Sequence, residues 1–167
     1  MKDNKSILIR KNKDFLLVTS YLKGLIGMTN PEQNFEYTSL DISHDYLGEI
    51  IRKKLKESRV LEISEFQKIF HSEKMKSLTN SLEKEMKLKF GYKNKKEIYR
   101  DMNFLSIDIN NGKLIVTPHH QDSLDGFTSV RDKNGNTVTF EYPITLSDEE
   151  LGIAVMKAFE YCTSIYR

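Results

Sequence analysis

The spacing of apolar and polar positions divides the chain into a β-rich start, a helical middle and a β-rich end that closes on one more helix. Lys5–Arg10 and Phe15–Ser20 are short aliphatic runs on either side of the charged Lys11-Asn-Lys-Asp14, which predicts a hairpin with a four-residue loop. Tyr21–Gln33 is punctuated by Gly24, Gly27 and Pro31 and reads as a loop or a short helical turn. Phe35–Leu40 reads as extended. Ser43 then opens a helix whose buried stripe is Leu47, Ile50, Ile51 and Leu55, with Arg52, Lys53, Lys54 and Lys56 outside, near the negative end of the helix dipole. Ser64–His71 predicts a short helix presenting Phe66, Ile69 and Phe70. Ser72–Phe90 predicts a longer one with the stripe Met75, Leu78, Leu82, Met86 and Phe90, stopped by Gly91; Asn94–Met102 reads as a further short helix.

From Phe104 the period changes to two. Leu105, Ile107 and Ile109 alternate with Ser106 and Asp108, and Asn110-Asn-Gly112 turns the chain into Lys113–Thr117, because asparagine and glycine tolerate positive φ. Phe127–Asp132 and Thr137–Tyr142 flank Lys133-Asn-Gly-Asn136, a second hairpin signal. Between the two hairpins Pro118–Gly126 reads as the longest loop of this half and the segment most available for binding.

The final helix has the clearest signature. Ser147 is a natural N-cap, Glu150 completes a capping box, and Asp148 to Glu150 put negative charge at the positive end of the dipole. Leu151, Ala154, Val155, Ala158, Phe159 and Cys162 form its buried stripe. Gly152 in the first turn costs roughly 1 kcal/mol against alanine, so a close neighbour is expected there. The same phrase stands earlier, with Ser43, Leu47, Gly48 and Lys53 matching Ser147, Leu151, Gly152 and Lys157 at a constant offset (147 − 43 = 104). Two readings follow: two equivalent strand-helix units, an internal duplication, or a chance likeness between two amphipathic helices. The fold class expected is α+β, an antiparallel sheet built from hairpins with helices packed on one face, as a single domain over residues 1–167.

Composition adds bounds. Hydrophobic residues make up 38% and charged residues 30%, and no apolar run approaches the roughly 18 residues of a membrane span. The charged start is too short in apolar residues for a signal peptide, and Cys162 is the one cysteine, so a reduced core thiol and a cytoplasmic location are expected. The net charge of +2 hides an asymmetry. Residues 1–100 carry 21 Lys/Arg against 14 Asp/Glu, and residues 101–167 carry 5 against 10, which together make the 26 and 24 of the whole chain. An acidic face could thus meet a basic partner.

Catalytic and cofactor chemistry find little support. His119 and His120 are adjacent and would point to opposite faces of a strand; with Asp122 and Asp125 they make a weak ligand set, and no zinc spacing is present. His71 suits a helix end and His44 a helix start. There is no nucleophile elbow and no phosphate-cradling glycine loop. No enzyme activity, cofactor, metal or small-molecule substrate is expected. Lys87–Arg100 interleaves lysines with Phe90, Tyr92 and Tyr99. This pattern suits stacking on RNA or single-stranded DNA, but the glutamates spread among the neighbouring lysines favour a solvated helix end whose aromatics enter the core.

The strand end followed by Leu146-Ser-Asp-Glu-Glu-Leu-Gly152 and an alanine-rich helix resembles the immunity proteins of contact-dependent growth-inhibition systems, the CdiI family. The likeness is clearest over Asn111–Cys162, with an echo over Tyr37–Ser58. It implies a non-catalytic protein that binds and neutralises a cognate toxin, the C-terminal domain of a CdiA-type surface protein. Many such toxins are nucleases with basic clefts, for which Asp122, Asp125 and Asp132, together with His119 and His120, are the candidate contacts. The slight net basicity of the chain leaves open binding beside the active site, or a toxin that is not a nuclease.

Overall fold

The computed structural model describes residues 4–167. Two antiparallel hairpins lie side by side at its centre. β1 (Lys5–Lys11) pairs with β2 (Leu16–Lys23), and β6 (Asn103–Asn110) with β7 (Lys113–Ser123); β1 and β6 join them through seven residue pairs from Lys5↔Ile109 to Lys11↔Asn103. The outer side of β2 carries β4 (Tyr37–Thr38) and, further along, β3 (Gly27–Thr29); β5 (Arg59–Val60) runs parallel to its far end. The outer side of β7 carries β9 (Phe140–Pro143) and then β8 (Gly126–Ser129), and β10 (Thr163–Ser164) runs parallel to its far end.

These pairings repeat residue for residue. Ile7↔Ser20 recurs as Leu105↔Pro118, Leu16↔Thr38 as Leu114↔Tyr142, Tyr21↔Thr29 as His119↔Ser129, and Leu22↔Arg59 as His120↔Thr163. The offset is 98 in the central hairpins (105 − 7) and grows to 104 by the last strands (163 − 59). Register is fixed by which face must be buried, so this recurrence describes two equivalent halves related by a pseudo-two-fold axis. The axis passes through the self-equivalent pair Leu8↔Ser106.

Helices α1 (His44–Glu57) and α6 (Asp148–Phe159) occupy equivalent places and cross on one face of the sheet. Leu47, Ile51, Leu55, Leu151, Val155 and Phe159 pack there on Ile7, Ile9, Leu16, Val18, Leu105, Ile107 and Val116. At the crossing each glycine meets the other helix's first residue. A Cβ on Gly48 would lie 2.0 Å from Asp148 O, and one on Gly152 would lie 2.0 Å from His44 O. The glycines let the two backbones touch. Arg52 then ties α1 to the loop before α6, donating from Nε to Asp148 Oδ1 at 2.9 Å, from Nη1 to Ile144 O at 3.2 Å and from Nη2 to Leu146 O.

The segment between the halves covers the other face. It forms α2 (Ile63–Phe70), α3 (Glu73–Lys76), α4 (Leu78–Phe90) and α5 (Lys95–Tyr99). Leu78, Leu82, Met86, Tyr92, Ile98 and Tyr99 pack against Phe15, Leu17 and Phe104, which point away from α1 and α6. Helices therefore cover both faces, where the sequence suggested one.

Four further expectations need correction. Tyr21–Gln33 is a hairpin, because Tyr21–Lys23 continue β2 and Gly24 lets the turn lie against Phe66. Ser72–Phe90 breaks at Ser77 into two helices, whose N-cap Ser72 accepts from Met75 N at 3.2 Å. Lys54 is buried, its Nζ donating to Asn34 O at 2.8 Å and Gln33 Oε1 at 3.2 Å, with Glu57 at 3.2 Å. Cys162 lies past the end of α6, with Sγ donating to Phe104 O at 3.3 Å. It holds the place that Ser58 holds in the first half, whose Oγ donates to Tyr21 O at 2.8 Å and accepts from Ser6 N at 2.9 Å. The capping box forms as expected: Ser147 Oγ accepts from Glu150 N at 3.1 Å, and Glu150 Oε1 from Ser147 N at 3.0 Å.

Candidate functional site

Pro118–Gly126 is strand and tight turn, not loop. β7 runs on through Ser123 and folds back into β8, with the register shifting by a bulge between Gln121 and Ser123. Gln121 stands at the bulge. It is fully buried, donates to Tyr99 O at 2.8 Å and Leu124 O at 2.9 Å, and accepts from Ser164 Oγ at 2.6 Å. One side chain thus pins the hairpin to α5 and to β10, saturating backbone groups that a polar segment would otherwise leave in water.

Strand alternation sends the two histidines to opposite faces. His120 Nδ1 contacts Thr163 Oγ1 at 2.8 Å. His119 is half-buried, with Nε2 3.3 Å from Ser106 Oγ and Nδ1 buried without a partner among the described residues. Burial holds the His119 imidazole below its ordinary pKa, with the Asp108 carboxylate opposing the shift. Asp122 is exposed at the bulge. Asp125 pairs with Lys95 Nζ at 2.7 Å, and that hydrogen bond holds its carboxyl below the ordinary range.

Asp132 belongs to a separate protrusion. β8 and β9 do not pair with each other; both lie along β7, and residues 131–137 bulge out between them, closed by an isolated bridge between Arg131 and Thr137. Asp132 Oδ1 builds this turn, accepting from Asn134 N at 2.8 Å and Asn136 N at 3.0 Å, while Gly135 supplies positive φ. His119, His120, Asp122 and Asp125 therefore share one hairpin, and Asp132 sits on its neighbour.

Of the two readings of Lys87–Arg100, the structure bears out the helix end whose aromatics enter the core. Tyr92 and Tyr99 are buried and Phe90 packs on Phe15 at 4.9 Å between ring centroids. Tyr92 Oη donates to Asp14 and accepts from Asn12 Nδ2 at 3.0 Å; Tyr99 Oη donates to Glu83 at 2.7 Å. The aromatics enter the core and leave lysines outside, beside the exposed Leu88, Glu97 and Arg100. Among the described residues no cluster of three or more His, Cys, Asp and Glu could hold a metal ion, and no helix is long and apolar enough to cross a membrane.

Sequence reasoning passed over Arg10. It stands on the sheet face away from α1 and α6, in a row that runs Leu17, Arg10, Phe104 and on to His119. Its guanidinium carbon lies 5.4 Å from the Phe104 ring centroid, and Nη1 is buried without an acceptor among the described residues. The available signal was the pattern itself: in Ile7-Leu-Ile-Arg10 a cation takes the place of an apolar residue on a mostly covered face.

The fold and sequence can be set beside known proteins. The chain is 21% identical over 166 residues to the immunity protein CdiI-YPIII of Yersinia pseudotuberculosis serotype O:3 (strain YPIII), across 92% of this chain and 93% of that one. Its structure resembles that of a protein of unknown function, NMB0488, from Neisseria meningitidis, with a TM-score of 0.85 and 19% identity over 95% of each chain. It also resembles a chain from a CdiA-CT/CdiI toxin and immunity complex of Yersinia pseudotuberculosis, with a TM-score of 0.80 and 18% identity over 95% and 97% of the two chains. The family model described as CDI immunity protein matches residues 5–162, nearly the whole of both halves and the segment between them, so this chain belongs to the CdiI family of immunity proteins.

Proposed function

We propose that this chain is a single-domain immunity protein that binds a cognate CdiA-type C-terminal toxin domain in the cytoplasm and neutralises it by covering its active or substrate site, without chemistry of its own. The family match over residues 5–162 carries this reading. The relative of known structure seen as a toxin and immunity complex supports it. The β7–β8 hairpin and the 131–137 protrusion supply the contact surface, with His119, His120, Asp122, Asp125 and Asp132 as its polar groups. Asp122 is the strongest of these, being exposed and, among the described residues, held by neither an ion pair nor a turn, whereas Asp125 is already paired with Lys95 and Asp132 is held by two backbone amides. Carboxylates in this place suit a toxin with a basic cleft, as nucleases have.

The test is protection. The toxin domain encoded beside this chain's gene is expressed with and without it, and the purified pair is titrated. Protection with tight one-to-one association is expected, and Asp122→Lys is expected to weaken association at least tenfold. Unprotected cells and a pair that does not associate would refute the reading; unchanged affinity in Asp122→Lys would remove the hairpin from the interface.

A further inference from the structure

The pseudo-two-fold axis gives each residue of the central sheet an internal control. Arg10 and Asp108 are equivalent positions, 98 residues apart, on the same face of the sheet and on either side of Leu8↔Ser106. Asp108 is satisfied within the chain. It accepts from Ser6 Oγ and lies 3.7 Å from Lys23 Nζ. Arg10 has no such partner among the described residues. Among the described residues the titratable groups around it are three tyrosines, Tyr21, Tyr99 and Tyr37, with no carboxylate among them, and the Phe104 ring offers only its face.

The lack extends beyond one atom. Three buried side-chain polar atoms lack a hydrogen-bond partner among the described residues: Arg10 Nη1, His119 Nδ1 and Tyr37 Oη. Arg10 and His119 flank Phe104 on adjacent strands, and the Phe104 ring is itself held by stacking on Phe127 of β8, 3.7 Å between centroids. An unpaired buried donor is costly, and native structures leave few of them without a reason. A guanidinium is the costliest of all to leave so, and the fold has evident means of pairing such a charge, as Lys54 and Asp108 demonstrate.

We propose that Arg10, across Phe104 from His119, receives a carboxylate side chain of the toxin domain, so that binding completes the charge pairing the free protein lacks. The proposal rests on the immunity reading above and deepens it. Arg10 as a whole is half-buried and not sealed off, which leaves part of the residue open to a partner. His119 belongs both to this face and to the β7–β8 hairpin, which makes the Arg10 site continuous with the surface already proposed. The partner chemistry is set by the donors: a guanidinium fork pairs a carboxylate through two hydrogen bonds, and an ammonium in its place would give one point contact.

The experiment uses the full chain and the catalytically inactivated toxin domain encoded beside it. Arg10→Met, Arg10→Lys and the unaltered chain are compared for toxin affinity and for thermal midpoint. Arg10→Met is expected to lose affinity at least tenfold while its midpoint stays level or rises, since it removes an unpaired cation and keeps the packing on Phe104. Arg10→Lys is expected to fall between. A second measurement needs no variant: in ¹⁵N-labelled wild-type chain the Arg10 guanidinium protons should become protected from exchange when toxin is added. Unchanged affinity in Arg10→Met, or guanidinium protons that do not respond to toxin, would overturn the inference while leaving the immunity reading intact. A wild-type pair that fails to associate would sink both.

Discussion

His119 shows how much a single position can carry in this sheet. It sits two residues into the exposed-looking Thr117-Pro-His-His stretch, yet the strand turns its ring onto the covered face, beside Ser106 and with Nδ1 unpartnered. Burial disfavours the imidazolium, so its pKa in the folded chain lies below the ordinary 6.5, with Asp108 as the opposing charge. The sign follows directly. The unfolded chain takes up the proton first as pH falls, so the stability tied to neutral His119 is present above about pH 6.5 and is lost on acidification below it. Chemical denaturation at a series of pH values should show this loss as pH falls below about 6.5, and His119→Phe should flatten that part of the curve. An equal slope in the variant would mean that another group titrates there. The adjacent histidines were legible as pointing to opposite faces; which face was covered was not, because the helices that cover it come from elsewhere in the chain.

Among the elements, the crossing of α1 and α6 is the one most clearly written in the sequence. Ser147 and Glu150 announce the start of α6, and the glycine one turn in, out of place by helix propensity, announces a close neighbour. Its neighbour could not be read locally. Only the repeated phrase pairs Gly152 with the first turn of α1, and Gly48 with the first turn of α6. On an open helix Gly→Ala would stabilise by up to about 1 kcal/mol. Here each new Cβ would meet backbone atoms of the partner helix at 2.0 Å, and backbone cannot rotate away as a side chain can. Gly48→Ala and Gly152→Ala are therefore each expected to cost about 1–3 kcal/mol in denaturant unfolding, the opposite sign from propensity. The double variant should cost less than the sum, since either substitution already parts the helices that the other needs apart. Additive losses would mean that the two contacts relax independently. The segment α2–α5 was harder to read. Its stripes gave the helices, but Ser77, capable of continuing a helix, ends one instead. The burial of Tyr92 and Tyr99 depends on Asp14, Asn12 and Glu83, the first two of them far away in sequence.

For the whole molecule, the recurrence of every strand pairing from one half in the other means that neither half holds a complete core. The strands that close each other are β1 and β6, and the helices that cap each other are α1 and α6, so the interface between halves is the middle of the protein. The sequence showed this only where side chains at the helix starts coincide; in the strands, register repeats while residue identity does not, as with Ile7 and Leu105, Tyr21 and His119 or Arg10 and Asp108. What must be kept there is burial on one face, and many apolar residues satisfy that. A molecule joined in this way should open as one unit. In native-state hydrogen exchange the amides of β1 and β6 are expected to share the highest protection, equal to the global unfolding free energy, and to respond alike when either Gly48 or Gly152 is replaced. Lower protection belongs to the parts outside the shared core, the 131–137 protrusion and the β2–β3 turn at Leu25 and Ile26, which are exposed. If β6 and β7 instead kept their protection while a first-half substitution released β1 and β2, the halves would be separate cooperative units. The reciprocal helix crossing would then be an addition to the fold and not its keystone.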